Sequence, residues 1–364
     1  MAEVTHHLPG GEKMKTTGSL TVIPSVLLLC LILTLPACGP RVKVKHQPVQ
    51  FSQAPSPHGE ELFPNWPISP EVAEGKLYRM AVARELKIEE IKGTAAGTTG
   101  AAKERIYFPG LEKEITFKWK KAITGRLDDF NNSPRRELAA YQIQRLFLEP
   151  EDWVVPTSFM VCVPREMYEK NHGFTVASVE GTNCVLGLAS IWLNNLTVPE
   201  PLYEEARFLN EPNYAYFLSN LNILTYVIDH RDAKKSNFLV SKDEARPQAF
   251  AIDNGTSFGV WPYDFLVQNW NVIIVPALRK ETIDRLRELQ REDLDFLGVV
   301  VQFEKDENLI LQPVVAGENL NPHKGVRIKE GTVQLGLTQS EIDDVWQRIT
   351  SLLADVDAGN IPVF

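Results

Sequence analysis

The chain runs His230-Arg231-Asp232-Ala233-Lys234-Lys235-Ser236-Asn237 and then, sixteen residues past Asn237, Asp253-Asn254-Gly255. Apolar segments bracket both pieces. Leu221, Leu224, Tyr226 and Val227 lead into the first, Phe238-Leu239-Val240 leaves it, and Ala251-Ile252 enters the second. The plain reading of Asp232 is a turn-forming residue in a polar loop. An Asp, an Asn and a second Asp at these intervals, each beside an apolar strand, form a less common set. They are oxygen-bearing side chains from separate stretches that a fold can gather, and oxygen is the ligand that hard divalent cations prefer.

Working outward, Leu86-Lys87-Ile88-Glu89-Glu90-Ile91 alternates as a strand does, and Arg105-Ile106-Tyr107-Phe108 reads as its returning partner. Between them lies a small-residue loop with Gly93, Gly97 and Gly100. Such a hairpin tip can approach phosphates through backbone N–H groups, although glycines between strands usually mark only a turn. Glu114-Ile115-Thr116-Phe117-Lys118-Trp119-Lys120 is a third strand. Period-two alternation puts Lys118 and Lys120 on one face and Lys121 on the other. Ser133 followed by Pro134 starts a helix that carries Glu137 in its first turn, where the helix dipole favours an acid. Trp153-Val154-Val155-Pro156 opens two more strands that end near Ile191-Trp192. Leu193-Asn194-Asn195 is then a linker, and the chain from Glu204 to Val227 reads as an apolar helix.

Taken in order, Phe117-Lys118, Glu137-Leu138-Ala139-Ala140-Tyr141, Val154-Val155-Pro156, Asp232 with Asn237-Phe238-Leu239-Val240, and Ala251-Ile252-Asp253-Asn254-Gly255 with Phe258 resemble the protein-kinase-like superfamily. The similarity is to its atypical branch, that of the type II phosphatidylinositol 4-kinases and related bacterial kinase-like proteins, and it covers about residues 85 to 265. The resemblance implies an α+β, two-lobed fold, with a small five-stranded β lobe bearing one helix and a mainly helical large lobe. It implies ATP or another nucleotide, with Mg2+, as cofactors. Asp232 would take the proton of an acceptor hydroxyl, and Asn237 and Asp253 would ligate magnesium. Lys118 would position phosphates and be held by Glu137, with Lys120 the less favoured choice for that lysine. Lys234 would neutralise the transferring group, and Gly93, Gly97 and Gly100 would cradle phosphates. Asn194 and its neighbours would form the linker on which an adenine stacks. Asn254 stands where protein kinases have the Phe of D-F-G, and no A-P-E sequence follows Gly255 at the usual remove. Neither an aromatic switch nor an activation loop of that kind is therefore expected.

The last hundred residues read chiefly as helices, near Thr282–Leu289 and Ser340–Leu353, with a strand-like stretch from Val299 to Pro313. They are expected to pack under the loop at His230.

The amino terminus is of another kind. Lys13 and Lys15 precede an apolar stretch that ends in Leu35-Pro36-Ala37-Cys38, the layout of an export signal. Its end resembles the lipobox of bacterial lipoproteins, which implies that Cys38 is lipidated. The expected organisation is a signal over 1–37, with Met14 the more usual start, and a lipidated Cys38 with a Pro-, Ser- and Gln-rich tether over 38–70. The lobes would then be 71–193 and 194–364. By the same resemblance, Gly39 after the Cys, in place of an Asp, implies the outer membrane, facing the periplasm. A plain transmembrane anchor is the alternative, and the apolar run is marginal for spanning. Cys162 and Cys184 are left as an even pair in the mature chain, either a disulfide in an oxidising compartment or two buried thiols.

With 38 basic against 47 acidic residues and no basic stripe, nucleic acid is not an expected partner. The functional expectation is a lipid-anchored phosphotransferase that moves a γ-phosphate to a hydroxyl on a protein, lipid head group, sugar or small molecule. The alternatives are a catalytically inert kinase-fold binding lipoprotein, or a nucleotidyl transferase on the same scaffold. ATP is scarce outside the inner membrane. An exported or unusual nucleotide, lost turnover, or an unused signal each answers that difficulty.

Overall fold

Alternating side chains make β1 (Lys87–Gly93), β2 (Ala102–Phe108) and β3 (Lys113–Lys121) an antiparallel meander. The computed structural model describes residues 65–69, 87–93, 101–108, 113–123, 127, 133–259 and 270–364, all within the unit His46–Phe364. The signal, Cys38, most of the tether, Gly97 and Gly100 lie outside the described residues, while Gly93 closes β1 opposite Ala102. Strands β4 (Ser158–Pro164) and β5 (Cys184–Ile191) complete a five-stranded antiparallel sheet in the order β1-β2-β3-β5-β4. One face of β3 buries Ile115, Phe117 and Trp119, with Phe117 edge-on to Phe159 at 5.7 Å. Gly187 on β5 makes room for Trp119: a Cβ there would lie 2.2 Å from the indole. The other face aligns Lys103, Lys118, Ser190 and Ser158 in one cross-strand row.

Cys162 and Cys184 are joined in a disulfide across β4 and β5, with Cα atoms 5.4 Å apart and a sequence separation of 22. Closing a loop of that length in the unfolded chain is worth about 3 kcal/mol. The double variant Cys162→Ser/Cys184→Ser, or reduction, should lower the thermal midpoint correspondingly, and reductant should leave the double variant unmoved.

Helix α1 (Pro134–Gln144) begins with proline in its first turn, as the Ser133-Pro134 pair dictates. It is buried on nearly every side; of its eleven residues only Gln142 is not buried. Three of those buried residues are charged. Arg135 donates to both carboxylate oxygens of Glu341, at 2.7 and 3.0 Å, and to the Gly336 carbonyl at 3.1 Å. Arg136 reaches the same carboxylate at 3.2 Å. A Cβ at Gly325 would lie 2.2 Å from Arg135, so the arginine fits only against glycine. A second helix, α2 (Arg165–His172), lies between β4 and β5, so the expectation of one helix in this half is corrected. Its sequence is mostly polar and short, without the apolar period that marks a buried helix.

Beyond Ile191 come α3 (Glu205–Asn210) and α4 (Pro212–Val227), split where Pro212 starts the second helix. Strands β6 (Leu196–Thr197), β7 (Phe238–Ser241) and β8 (Ala249–Ala251) form a three-stranded sheet. After α5 (Lys280–Glu288), a third antiparallel sheet in the order β10-β9-β12-β11 is built from β9 (Val301–Lys305), β10 (Leu311–Val314), β11 (Val326–Lys329) and β12 (Thr332–Leu335). Helix α6 (Gln339–Asp357) follows, capped by Thr338 in a reciprocal box with Glu341. The fold is thus mixed α+β; the second half, expected to be mainly helical, carries seven short strands beside its helices among the described residues. Short strands such as Val326-Arg-Ile-Lys carry too few residues to announce a sheet before their partners are known. As expected, this region packs beneath the loop at His230, where Arg348 of α6 pairs with Asp229 at 2.7 Å and donates to the Tyr226 carbonyl at 2.8 Å. It also meets the first sheet, as the Leu311 N–H donating to Cys184 Sγ at 3.3 Å and the Asn183 N–H donating to the Leu309 carbonyl at 2.7 Å show.

Glu341 joins these parts. Burial alone would raise its pKa, but Arg135, the Thr338 N–H and Arg136 outweigh burial and hold it below the ordinary glutamate value. A lowered carboxylate pKa stabilises the fold fully above the unfolded value, about 4.3, and that support is lost as pH falls through the native value. Glu341→Gln should therefore unfold more easily at neutral pH and show a flatter loss of stability below about pH 4, measured by denaturant titration across pH.

Residues 65–69 lie against the folded region. Asn65 is fully buried and Trp66 nearly so, with the indole edge-on to Phe250 of β8 at 6.1 Å. Among the described residues no helix is long and apolar enough to cross a membrane.

Candidate functional site

Strand β3 and helix α1 bring a lysine and a glutamate together because the sheet packs on the first turn of the helix. The lysine is Lys120. Its Nζ donates to Glu137 Oε1 and to Asp253 Oδ1, each at 3.0 Å, and its side chain is 3 % exposed. Lys118 lies farther out, 25 % exposed, and reaches Asp253 Oδ1 at 3.4 Å. The expected pairing of Glu137 with Lys118 is corrected to Lys120. Alternation put both lysines on the right face, and the choice between them depends on where α1 docks along β3, which no local pattern encodes.

Glu137 also accepts the backbone N–H of Asn254 at 3.0 Å, so one carboxylate ties β3, α1 and the Asp253-Asn254-Gly255 turn. Asp253 takes a left-handed backbone, φ 63° and ψ 46°. For most residues that conformation costs about 1–2 kcal/mol, and Asp and Asn are among the few that adopt it. For Lys120, burial works against the charge, but Glu137 and Asp253 overcome it and push the pKa up. For Asp253, burial would raise the pKa, but Lys118 and Lys120 hold the carboxyl well below the usual range. Both groups are therefore charged at neutral pH.

The second turn, at His230, is held from below. His230 is fully buried, its N–H donates to the Thr225 carbonyl at 3.0 Å, and its ring lies 6.1 Å from that of Phe238. Burial depresses its pKa, so it packs as a neutral ring. Arg231, for which no partner was apparent in the sequence, pairs with Asp229 at 2.6 Å, and Asp229 also takes Arg348 at 2.7 Å and Asn271 at 2.9 Å. This buried knot fixes the loop's entry. Asp232 is 33 % exposed and accepts at Oδ2 from Lys234 and from Asn237 Nδ2, both at 2.9 Å. Asn237 Nδ2 also donates to the Asp232 carbonyl at 2.8 Å, which turns its amide nitrogen toward Asp232. Because Phe238 pairs with Ala251 and the Ile252 N–H donates to the Asn237 carbonyl at 2.9 Å, the turns carrying Asn237 and Asp253 sit at one end of the β7–β8 hairpin.

A cavity of about 320 Å³ is lined by Lys118, Lys120, Glu137 and Asp253, though not by Asp232 or Asn237. Leu193, Asn194, Asn195 and Leu196, with Lys242 bonded to Asn195, line another part of it. Ser158 and Ser190 lie in its wall, their hydroxyls 2.7 Å apart. The expected linker is therefore part of the cavity, and so are Lys118, Glu137 and Asp253. Sequence reasoning passed over Asn65 altogether. A lone Asn in a Pro-rich stretch carries no local signal, and only the neighbouring Trp66-Pro67-Ile68 hinted that this stretch docks.

Among the described residues no cluster of three or more His, Cys, Asp or Glu side chains forms a closed metal cage. Magnesium keeps several waters and is held by one or two carboxylates with substrate phosphates; Asp253 and Asn237 are the side chains that could contribute oxygen ligands to such a site. No protein-family model and no curated protein matches the chain.

Proposed function

We propose that the chain is a lipid-anchored, two-lobed kinase-like phosphotransferase of the cell envelope, which takes the γ-phosphate of a nucleoside triphosphate to a hydroxyl acceptor. The observation that carries this reading is the single Lys120 ammonium bridging Glu137 and Asp253 in the wall of a cavity that the Leu193–Leu196 linker also lines. A buried lysine shared by two carboxylates is poised to meet phosphate oxygens.

In this reading the base and ribose lie toward Leu193–Leu196 and the phosphates toward Lys120, with Lys118 adding a second positive charge at the mouth. Asn237 and Asp253 would hold magnesium, which when bound neutralises phosphate charge and orients the transferring group. Asp232 Oδ2 is engaged by Lys234 and Asn237, which leaves Oδ1 as the oxygen that would take the acceptor's proton. The acceptor oxygen bonds to the γ-phosphorus, the bond to the bridging oxygen breaks, the nucleoside diphosphate leaves, and the acceptor proton passes to Asp232. Lys234 steadies Asp232 and offers charge to the passing phosphoryl group. The Cys162–Cys184 disulfide supports the envelope assignment, since such bonds persist in oxidising compartments.

The test is incubation of the full chain with Mg2+ and ATP labelled at either the γ- or the α-phosphate. Transfer of γ-label to protein, lipid or small-molecule acceptors is the expected result. Transfer of α-label makes the protein a nucleotidyl transferase, and magnesium-dependent binding without transfer makes it an inert binder. Absence of nucleotide binding overturns the reading.

A further inference from the structure

Asn65 lies outside every strand and helix, yet it is completely buried against the linker of the cavity. Its contacts to Asn194 are reciprocal. The Asn194 N–H donates to the Asn65 carbonyl at 2.7 Å, and Asn65 Nδ2 donates to the Asn194 carbonyl at 2.9 Å and to that of Asn195 at 3.4 Å. One residue thus occupies both main-chain groups of Asn194 and touches the next carbonyl. The following residue, Trp66, packs on Phe250. Phe250 sits in β8 directly before Ala251, Ile252 and Asp253, which line the same cavity. A five-residue segment therefore braces the linker and the strand that leads to Asp253.

We infer that Asn65 is a positioning residue for the nucleoside end of the cavity, an assignment that rests on the nucleotide reading above. Held by Asn65, the linker cannot slide along its own length. Asn194 and Asn195 form a bend, with Asn195 at φ 53°, between Leu193 and Leu196, and all four residues line the cavity. Fixing Asn194 therefore fixes the shape of that bend in the cavity wall. The segment does not touch the lysine and carboxylate end directly, so its effect falls on one part of the ligand.

That asymmetry gives the test. Full-length wild type, Asn65→Ala and Asn65→Asp are titrated calorimetrically with adenosine and, separately, with magnesium tripolyphosphate. Asn65→Asp keeps the shape but loses the amide donor and sets a charge against two carbonyls. Both variants are expected to bind adenosine about tenfold more weakly and tripolyphosphate within about twofold of wild type. Faster amide exchange over residues 192–196 in the ligand-free variants should accompany this. Unchanged adenosine affinity overturns the inference. Equal loss of both ligands also overturns it, because Asn65 then serves the fold at large. Wild type that binds tripolyphosphate but no adenosine removes the nucleoside end and with it this role. Wild type that binds neither overturns the nucleotide reading itself.

Discussion

Asp253→Asn is expected to lower magnesium-dependent transfer by two to three orders of magnitude, the scale of losing one preorganised electrostatic group from a phosphoryl-transfer site. Asn is the right replacement because it keeps the shape and is among the few residues at ease in the left-handed conformation of this turn, φ 63°. The fold should survive. Lys120 keeps Glu137 as its partner, and the Asn254 N–H keeps its bond to Glu137. Magnesium should no longer strengthen ATP binding, which thermal shift with and without the metal would read. A variant with wild-type turnover and an undiminished magnesium response would refute the role of Asp253.

The second large effect separates the two lysines of β3. Lys120→Met should cut turnover about a hundredfold or more, whereas Lys118→Met should cost about tenfold or less, because Lys118 stands at the mouth and only Lys120 is gripped by α1. Stability should divide the same way. Lys120 and Glu137 are almost fully buried, and breaking a buried ion pair from one side costs about 3–5 kcal/mol. Glu137→Ala is expected near the lower limit, since Asp253 still partners Lys120. Lys118→Met should shift stability by less than about 1 kcal/mol. The double variant Lys120→Met/Glu137→Leu should recover much of the stability and none of the turnover. Equal losses at Lys118 and Lys120 would sink this division of labour.

Much of the fold could be read because it rests on local chemistry. The strands β1 to β3 alternate, Pro134 opens α1, and Asp232, Asn237 and Asp253 fall beside apolar strands that must pair. What escaped was set by distant partners. Lys120 and Lys118 are equivalent within β3, and only the docking of α1 tells them apart. Arg231 is an unattached charge until Asp229 turns beside it. Asn65 acquires meaning only through Asn194, 129 residues away. The four-stranded sheet of β9 to β12 depends on strands of four or five residues, too short to show a period. Helix α2 is too polar to stand out.

The encasement of α1 has a further consequence. A helix held at Arg135 and Arg136 by one glutamate of α6, and covered on almost every face, has no empty space into which to swing. Its glutamate is delivered to Lys120 as soon as the chain finishes folding. Under the proposed phosphotransfer, control would then come from outside the helix, from the arrival of ligand and acceptor.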